Sequence, residues 1–262
     1  MLKKIISIFV YSLHKNLHKY FSFIDGATID SHNGNYEWIY KNLNDKKINL
    51  SQKAFIEIGS FNALDTIHIL QRFNFEKAVI FEPSRAGIKR TLRNIEKNKE
   101  ISSKILFFPI ALGRYIGESI FFEPTDEGYK LDKSPNYASS SVYKSQESNL
   151  YKYKVPIFNL DSILINLKID PFLIIMDAED SELEILKGAT NTLRKVEYIC
   201  LEAGYNTQRV NTNAKDIVDF LLNQDFDLID NDWPTTNSNE LPDDNGEYKV
   251  FCLLFKKKSN NE

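Results

Sequence analysis

The chain has 262 residues, with 33 lysines and arginines, 36 aspartates and glutamates, and a net charge of -3 at pH 7. This length fits one large α/β domain as well as two small ones, and the balanced charge excludes sequence-independent nucleic-acid binding through a basic surface. Hydrophobic residues make up 42% of the chain, which excludes disordered and fibrous classes. Cys200 and Cys252 are too few for a disulfide scaffold or a multi-cysteine zinc site, so we expect a cytoplasmic protein without a bound metal.

The N-terminal segment differs from the rest of the chain. Two lysines precede a short apolar run at 5–10, which has no small-residue cleavage site after it and is far shorter than the ~20 apolar residues that a membrane span needs. We interpret 1–35 as an amphipathic helix and lead-in that lies on the domain or weakly on a membrane surface. The domain itself is assigned to 36–258, and a tail to 259–262.

Short apolar runs alternate with amphipathic segments along most of the domain. The pattern predicts helices at 63–73, 84–99, 182–195 and 214–223, and strands at 54–58, 77–81, 105–110, 172–176, 198–201, 226–229 and 249–255. Each crossover helix must cover the apolar face of its two strands, so this order predicts an α/β, Rossmann-like, doubly wound, mostly parallel sheet. Ligands bind such sheets beyond the carboxyl ends of the strands.

The alternation lapses at about 113–160. SIFFEP and KVPIFNL are interpreted there as extra strands around an inserted segment rich in tyrosine: Tyr129, Tyr137, Tyr143, Tyr151 and Tyr153. This composition suits contact with a polar ligand by stacking and hydrogen bonding. A solvated loop with aromatic anchors is the alternative.

The first chemical motif is FIEIGSFNALDT, in which Glu57 lies in a strand and Gly59 permits a tight turn into a helix. A dinucleotide fingerprint requires three glycines for a pyrophosphate, whereas this loop continues with Phe61 and Asn62. A carboxylate beside a phosphate would repel it, so Glu57 favours a ligand with a cationic group. S-adenosylmethionine, with its ammonium and sulfonium, meets that condition.

The second motif, VIFEPS, places Glu82 at the carboxyl end of the next strand, 23 residues after Gly59. An acid in this position accepts both hydroxyls of an adenosine ribose in nicotinamide enzymes and in S-adenosylmethionine enzymes alike. The alternative is an acid that stabilises the N-terminus of the following helix near Ser84.

The third motif, FLIIMDAEDSELEILKGATNTL, has four acids within six positions after an apolar strand. Capping of the next helix accounts for Asp180, Glu182 and Glu184, with Ser181 and Glu184 fitting a capping box. Asp177 and Glu179 precede that cap. They are therefore our candidates for orienting or deprotonating an acceptor hydroxyl.

The order of these motifs resembles the FkbM-type family of class I S-adenosylmethionine-dependent methyltransferases. The resemblance runs from about residue 36 to 205 and includes FFPIALGRYIGESIFF, ASSS, VPIFNLDSIL and ICLEAG beside the three motifs. It implies a seven-stranded class I sheet, S-adenosylmethionine as methyl donor, and O-methylation of a sugar, a glycan or a polyketide-like natural product. The expected partner is thus a small-molecule or glycan acceptor and not a nucleic acid.

The resemblance also implies roles for individual residues. Asp177 and Glu179 would face the methyl group and the acceptor. The residues expected around the cofactor are Glu57, Gly59, Ser60, Phe61 and Asn62 at the methionine end, Glu82 and Pro83 at the ribose, and Pro109, Ile110 and Ala111 near the adenine. Two positions depart from the family pattern, because Ala63 and Asp180 stand where glycine is usual.

Two other functions remain open. Glu82 also fits a nicotinamide-dependent oxidoreductase, although the missing glycines and Glu57 oppose it. Asp180 in place of a glycine is compatible with a non-catalytic nucleoside-binding module that kept the fold and lost the chemistry.

Overall fold

The computed structural model describes residues 49–124, 150–205, 213–232 and 249–259, together with 237, 239–241, 244 and 246. The chain divides into two units, Met1–Asn35 and Tyr36–Glu262. The predicted N-terminal helix lies outside the described residues, and so do Tyr129, Tyr137 and Tyr143. Within the described part of the chain, no helix is long and apolar enough to cross a membrane.

The described residues form alternating strands and helices over most of their length. The strands are β1 (Ala54–Ile58), β2 (Lys77–Phe81), β3 (Ile105–Phe108), β4 (Ala111–Leu112), β5 (Gly117–Pro124), β6 (Leu150–Phe158), β7 (Pro171–Met176), β8 (Tyr198–Tyr205), β9 (Phe226–Asn231) and β10 (Lys249–Lys257). The helices are α1 (Leu64–Arg72), α2 (Arg85–Lys97), α3 (Lys99–Ser102), α4 (Leu160–Leu167), α5 (Glu182–Lys187), α6 (Thr190–Leu193) and α7 (Ala214–Leu222).

Seven of the strands form one sheet in the order β3-β2-β1-β7-β8-β10-β9. All neighbours pair in parallel except β10, which is antiparallel to β8 and β9. This is the Rossmann-like, mostly parallel arrangement that the resemblance implies, so the predicted fold class is confirmed. The strand order reverses between β1 and β7, and the ends of β1, β2 and β7 meet at that point, where such sheets bind ligands.

The central strands are almost entirely apolar because both faces of the sheet are covered by helices. Every residue of β1 and of β7 is buried. Below β1, Phe75 packs edge-on against Phe55, with ring centroids 5.1 Å apart. This core fixes the positions of the strand ends that carry the polar loops.

The predicted extra strands are confirmed as β5 and β6, which form a separate small sheet with β4 in the order β4-β6-β5. β5 and β6 pair antiparallel, and Phe121 stands opposite Tyr153. The backbone N–H of Gly113 donates to the carbonyl of Phe158 at 3.0 Å, which closes the base of the small sheet.

The helix predicted at 182–195 is instead two short helices, α5 and α6, which are separated at Gly188 and Ala189. A β-carbon at Gly188 would lie 2.3 Å from the carbonyl oxygen of Gly113, so the small sheet packs directly onto this break. The apolar periodicity of the segment continued through the break and concealed it. The sequence analysis also missed α4, whose Asn159 side chain caps the helix by accepting the Ser162 N–H at 2.8 Å.

Candidate active site

An open pocket lies at the carboxyl ends of β1, β2 and β7, with about 630 Å³ of empty space that includes open solvent. Among the residues predicted for the site, eight line it: Gly59, Phe61, Glu82, Pro83, Ile110, Ala111, Asp177 and Glu179. Three of these are acids, and none of the described residues that line the pocket is basic. The pocket therefore favours a ligand that is neutral or positively charged over a phosphorylated one.

The loop after β1 has an unusual backbone. Gly59 has a φ of 82°, and the non-glycine residues Phe61 and Ala63 also adopt left-handed conformations, with φ of 47° and 59°. Two hydrogen bonds hold this loop. Within it, Asn62 Oδ1 accepts the Leu64 N–H at 2.9 Å, and from α2 the Asn94 side-chain amide donates to the Asn62 carbonyl at 2.9 Å. Ala63 thus occupies a glycine-like conformation at the position where the family pattern has glycine.

Glu82 joins the loops that follow β1 and β2. One carboxylate oxygen accepts the Phe61 N–H and the other accepts the Ser84 N–H, both at 2.7 Å. Burial raises the pKa of Glu82 to about 7, and the nearby Glu123 carboxylate adds to the rise, although the hydrogen bonds from Ser84 and Phe61 oppose it. Each oxygen of an ionised carboxylate keeps a further lone pair, so Glu82 can still accept two hydroxyl donors from a ligand.

The N-terminus of α2 has no free backbone donors for an anion. The first N–H groups of a helix need acceptors from outside the helix. Here side chains supply them in sequence: Ser84 N–H donates to Glu82, Arg85 N–H to Tyr153, Ala86 N–H to Glu123, and Gly87 N–H to Ser84. A pyrophosphate would have to displace these acceptors, so the helix start is not arranged as a phosphate site.

Asp177 and Glu179 lie on the opposite wall, in the turn after β7. The Asp177 N–H donates to the Ile58 carbonyl at 2.9 Å, which ties this turn to β1. Glu179 and Asp180 are consecutive left-handed residues, with φ of 50° and 72°. Asp180 therefore adopts a conformation that glycine adopts readily, and the turn forms without a glycine.

The predicted capping box at Ser181 and Glu184 is wrong. The Ser181 side chain makes no capping hydrogen bond, and Glu184 pairs with Lys187 at 2.6 Å instead. The buried Glu182 reaches back and accepts the Ala178 N–H at 2.7 Å, so it holds the turn that carries the two candidate catalytic acids. Burial, followed by the charge of Asp177, raises the pKa of Glu182 to about 8.

Sequence reasoning missed Glu202, a half-buried acid on β8. Burial raises its pKa to about 9, and the charges of Asp177, Glu179 and Glu182 contribute in that order. The signal was present in ICLEAG, where an acid follows an apolar strand. Among the described residues, no group of three or more histidines, cysteines or acids is arranged to hold a metal ion.

Four of the predicted cofactor residues do not line the pocket: Glu57, Ser60, Asn62 and Pro109. Glu57 is buried and accepts a hydrogen bond from the Thr66 hydroxyl. Its pKa is raised well above the usual range by burial and then by the Asp65 charge. The Ser60 hydroxyl lies 3.5 Å from that of Thr91. The side chains of Glu57 and Ser60 are therefore engaged by α1 and α2.

The small sheet supplies a wall residue that the sequence analysis did not anticipate. Phe121 of β5 lines the pocket, and its ring packs against Tyr153 of β6 with centroids 5.6 Å apart. The sequence analysis had assigned the inserted segment to contact with a polar ligand. Its described strands contribute Phe121 to the pocket wall, and the rest of the segment lies outside the described residues.

Comparison with known proteins identifies the family. The model of the Methyltransferase FkbM domain matches residues 57–228, well over half of the chain. The chain belongs to this family. Residue 57 is the first acid of the β1 motif, so the match begins just before the loop described above. Among curated proteins, no sequence matches this chain.

One solved structure of the same family supports the fold. The methyltransferase FkbM from Methylobacillus flagellatus KT aligns with a TM-score of 0.51 at 18% identity, over 80% of this chain and 44% of that one. This chain therefore spans less than half of that protein. TrmK from M. capricolum, solved with S-adenosyl-homocysteine, aligns with a TM-score of 0.45 at 16% identity, over 82% of this chain and 66% of that one.

Proposed function

We propose that this FkbM-family protein is an S-adenosylmethionine-dependent methyltransferase that methylates a hydroxyl of a sugar, a glycan or another small natural product. The observation that carries the proposal is the charge of the pocket: Glu82, Asp177 and Glu179 line it, and no basic residue does so in the part of the chain that the structure describes. S-adenosylmethionine brings a sulfonium and an ammonium to such a pocket. Nicotinamide dinucleotides would bring a pyrophosphate, which these carboxylates repel.

The residues of the pocket fit that donor. Glu82 has acceptor capacity for two ribose hydroxyls at the end of β2, and Ile110, Leu112 and Phe121 supply apolar surface for a base. When bound, S-adenosylmethionine supplies an electrophilic methyl group. The protein then has to align an acceptor oxygen with it, which can contribute roughly 7–11 kcal/mol at best. Glu179 or Asp177 takes the hydroxyl proton.

The same charges restrict the chemical class of acceptor that the pocket can bind. A phosphorylated acceptor or an RNA would bring negative charge to a wall that carries Asp177 and Glu179, whereas a neutral hydroxyl meets no such repulsion. The net charge of -3 also opposes RNA binding. A cytoplasmic location is part of the proposal, because both cysteines are free and buried.

Methyl transfer from labelled S-adenosylmethionine to a panel of acceptors tests the proposal. The panel pairs neutral sugars and hydroxylated natural products with their phosphorylated forms, and includes RNA. We expect a mass gain of one methylene on a hydroxyl of a neutral member. Transfer to RNA alone would overturn the acceptor class, and donor binding without turnover across a broad panel would favour the non-catalytic module.

A further inference from the structure

We propose that Glu123 and Tyr153 are positioning residues, which lock the small sheet onto the N-terminus of α2 and so hold the donor pocket in its binding geometry. The inference rests on the proposed function, because the ligand it concerns is the donor nucleoside. Neither residue lines the pocket. Both act through Phe121 and Glu82, which line the pocket.

The lock consists of three hydrogen bonds between segments that are far apart in sequence. The Tyr153 hydroxyl donates to Glu123 Oε2 at 2.7 Å and accepts the Arg85 N–H at 3.1 Å. Glu123 Oε1 accepts the Ala86 N–H at 2.9 Å. The Arg85 guanidinium also lies over the Tyr153 ring, 4.1 Å from its centroid. One phenol and one carboxylate thus bind two successive amides of α2.

Burial makes these contacts strong. Glu123 is only 4% exposed, so its carboxylate oxygens have the Tyr153 hydroxyl and the Ala86 N–H as partners in place of bulk water. Burial, followed by the Glu123 charge and the hydrogen bond to it, raises the pKa of Tyr153, which therefore keeps its proton as the donor. The small sheet and the seven-stranded sheet share no strand, and side-chain contacts such as these join them.

Two routes lead from the lock to the pocket. On β5, Phe121 lies on the same face as Glu123, two residues earlier, and its ring rests on Tyr153 while it lines the pocket. On α2, the amides bound by the lock directly follow Ser84, whose N–H is held by Glu82. Loosening the lock therefore moves both an apolar wall and the ribose-binding carboxylate.

The variant Tyr153→Phe tests the inference, because it removes the hydroxyl and keeps the ring against Phe121 and Arg85. Tyr151→Phe is the matched control, since Tyr151 lies on the same strand and is 49% exposed. By calorimetry below the unfolding temperature, we expect Tyr153→Phe to weaken S-adenosylhomocysteine binding about tenfold, as the loss of a charge-assisted hydrogen bond does. The control should bind like the wild type. Glu123→Gln, which keeps an acceptor for Ala86, should lose less.

Amide hydrogen exchange supplies a readout that needs no ligand. The amides of Arg85, Ala86 and Ser84 should exchange faster in Tyr153→Phe than in Tyr151→Phe. If Tyr153→Phe lowers the unfolding temperature but binds S-adenosylhomocysteine like the wild type, the pair is merely structural and the inference is wrong. If the wild type itself does not bind S-adenosylhomocysteine, the proposed function fails. Unchanged exchange at these three amides in Tyr153→Phe would contradict the lock, whatever the binding result.

Discussion

A β-carbon at Gly59 would lie 1.7 Å from the carbonyl oxygen of Asp177, and Gly59 has a φ of 82°. The turn after β1 therefore touches the turn after β7 through backbone alone. The first turn leads to Phe61 and the second carries Glu179, so the two walls of the pocket are fixed relative to each other by this contact. The two sides of the pocket are therefore set together.

Substitution of Gly59 by alanine should disrupt both turns. The added carbon clashes with backbone that cannot rotate away, and the left-handed conformation adds a further cost. We expect a loss of at least about 2 kcal/mol in the free energy of unfolding, measured with urea, and loss of S-adenosylhomocysteine binding. Gly117→Ala is the control, because a β-carbon there meets nothing within 4 Å. Equal stability of the two variants would contradict the close contact.

Substitution of Asp180 by glycine should be tolerated, whereas substitution by a β-branched residue should destabilise the protein. Its φ of 72° lies in the left-handed region, which glycine adopts freely, aspartate tolerates and valine avoids. Asp180→Gly is expected to retain stability and donor affinity, and Asp180→Val to lose about 1–2 kcal/mol in urea unfolding. A valine variant as stable as the glycine variant would show that the turn relaxes to another conformation.

The large sheet was predictable from sequence because its strands are short apolar runs separated by helices, and their ends place Glu82, Asp177 and Glu179 at one edge. The role of Glu182 was not predictable. An acid at a helix start suggests capping, and only the fold shows that this one is buried and turned back toward Ala178. The pair of Glu123 and Tyr153 lies 30 residues apart across the inserted segment, where no periodicity relates the two side chains.

Glu179 and Glu182 should respond differently to the same substitution. If Glu179 takes the acceptor proton, Glu179→Gln keeps its shape but loses roughly 10²–10⁴ in single-turnover rate. Glu182 has a pKa of about 8 and is mostly neutral at pH 7, so glutamine resembles its native form and can still accept the Ala178 N–H. Glu182→Gln should stay near the wild-type rate. Equal, near-wild-type rates would assign the proton transfer to Asp177 or to substrate positioning alone.

Donor affinity should depend on pH through Glu82. Its pKa of about 7 means that much of the carboxyl is protonated at pH 6, and ribose hydroxyls donate best to the ionised form. Binding therefore releases a proton, and affinity for S-adenosylhomocysteine should rise about tenfold from pH 6 to pH 8. In Glu82→Gln this rise should disappear. An identical pH profile in the variant would assign the titration to another group.

The raised pKa of Glu82 makes the stability of the fold change with pH in the opposite direction to donor affinity. The folded protein holds the Glu82 proton more tightly than the unfolded chain does, so the contribution of this group to stability falls as the pH rises from about 4.5 to about 7. Urea unfolding of wild type and Glu82→Gln across this range should show a steeper decline for the wild type. Parallel curves would mean that Glu82 is not protonated in the folded state.

Isothermal titration of the full chain with S-adenosylhomocysteine and with NAD tests the central claim most directly. The account predicts binding of one S-adenosylhomocysteine per chain and no binding of NAD. It also predicts that Glu82→Ala loses affinity by more than tenfold while Glu96→Ala, an exposed acid on α2, does not. Tighter binding of NAD than of S-adenosylhomocysteine, or unchanged affinity in a folded Glu82→Ala variant, would contradict it.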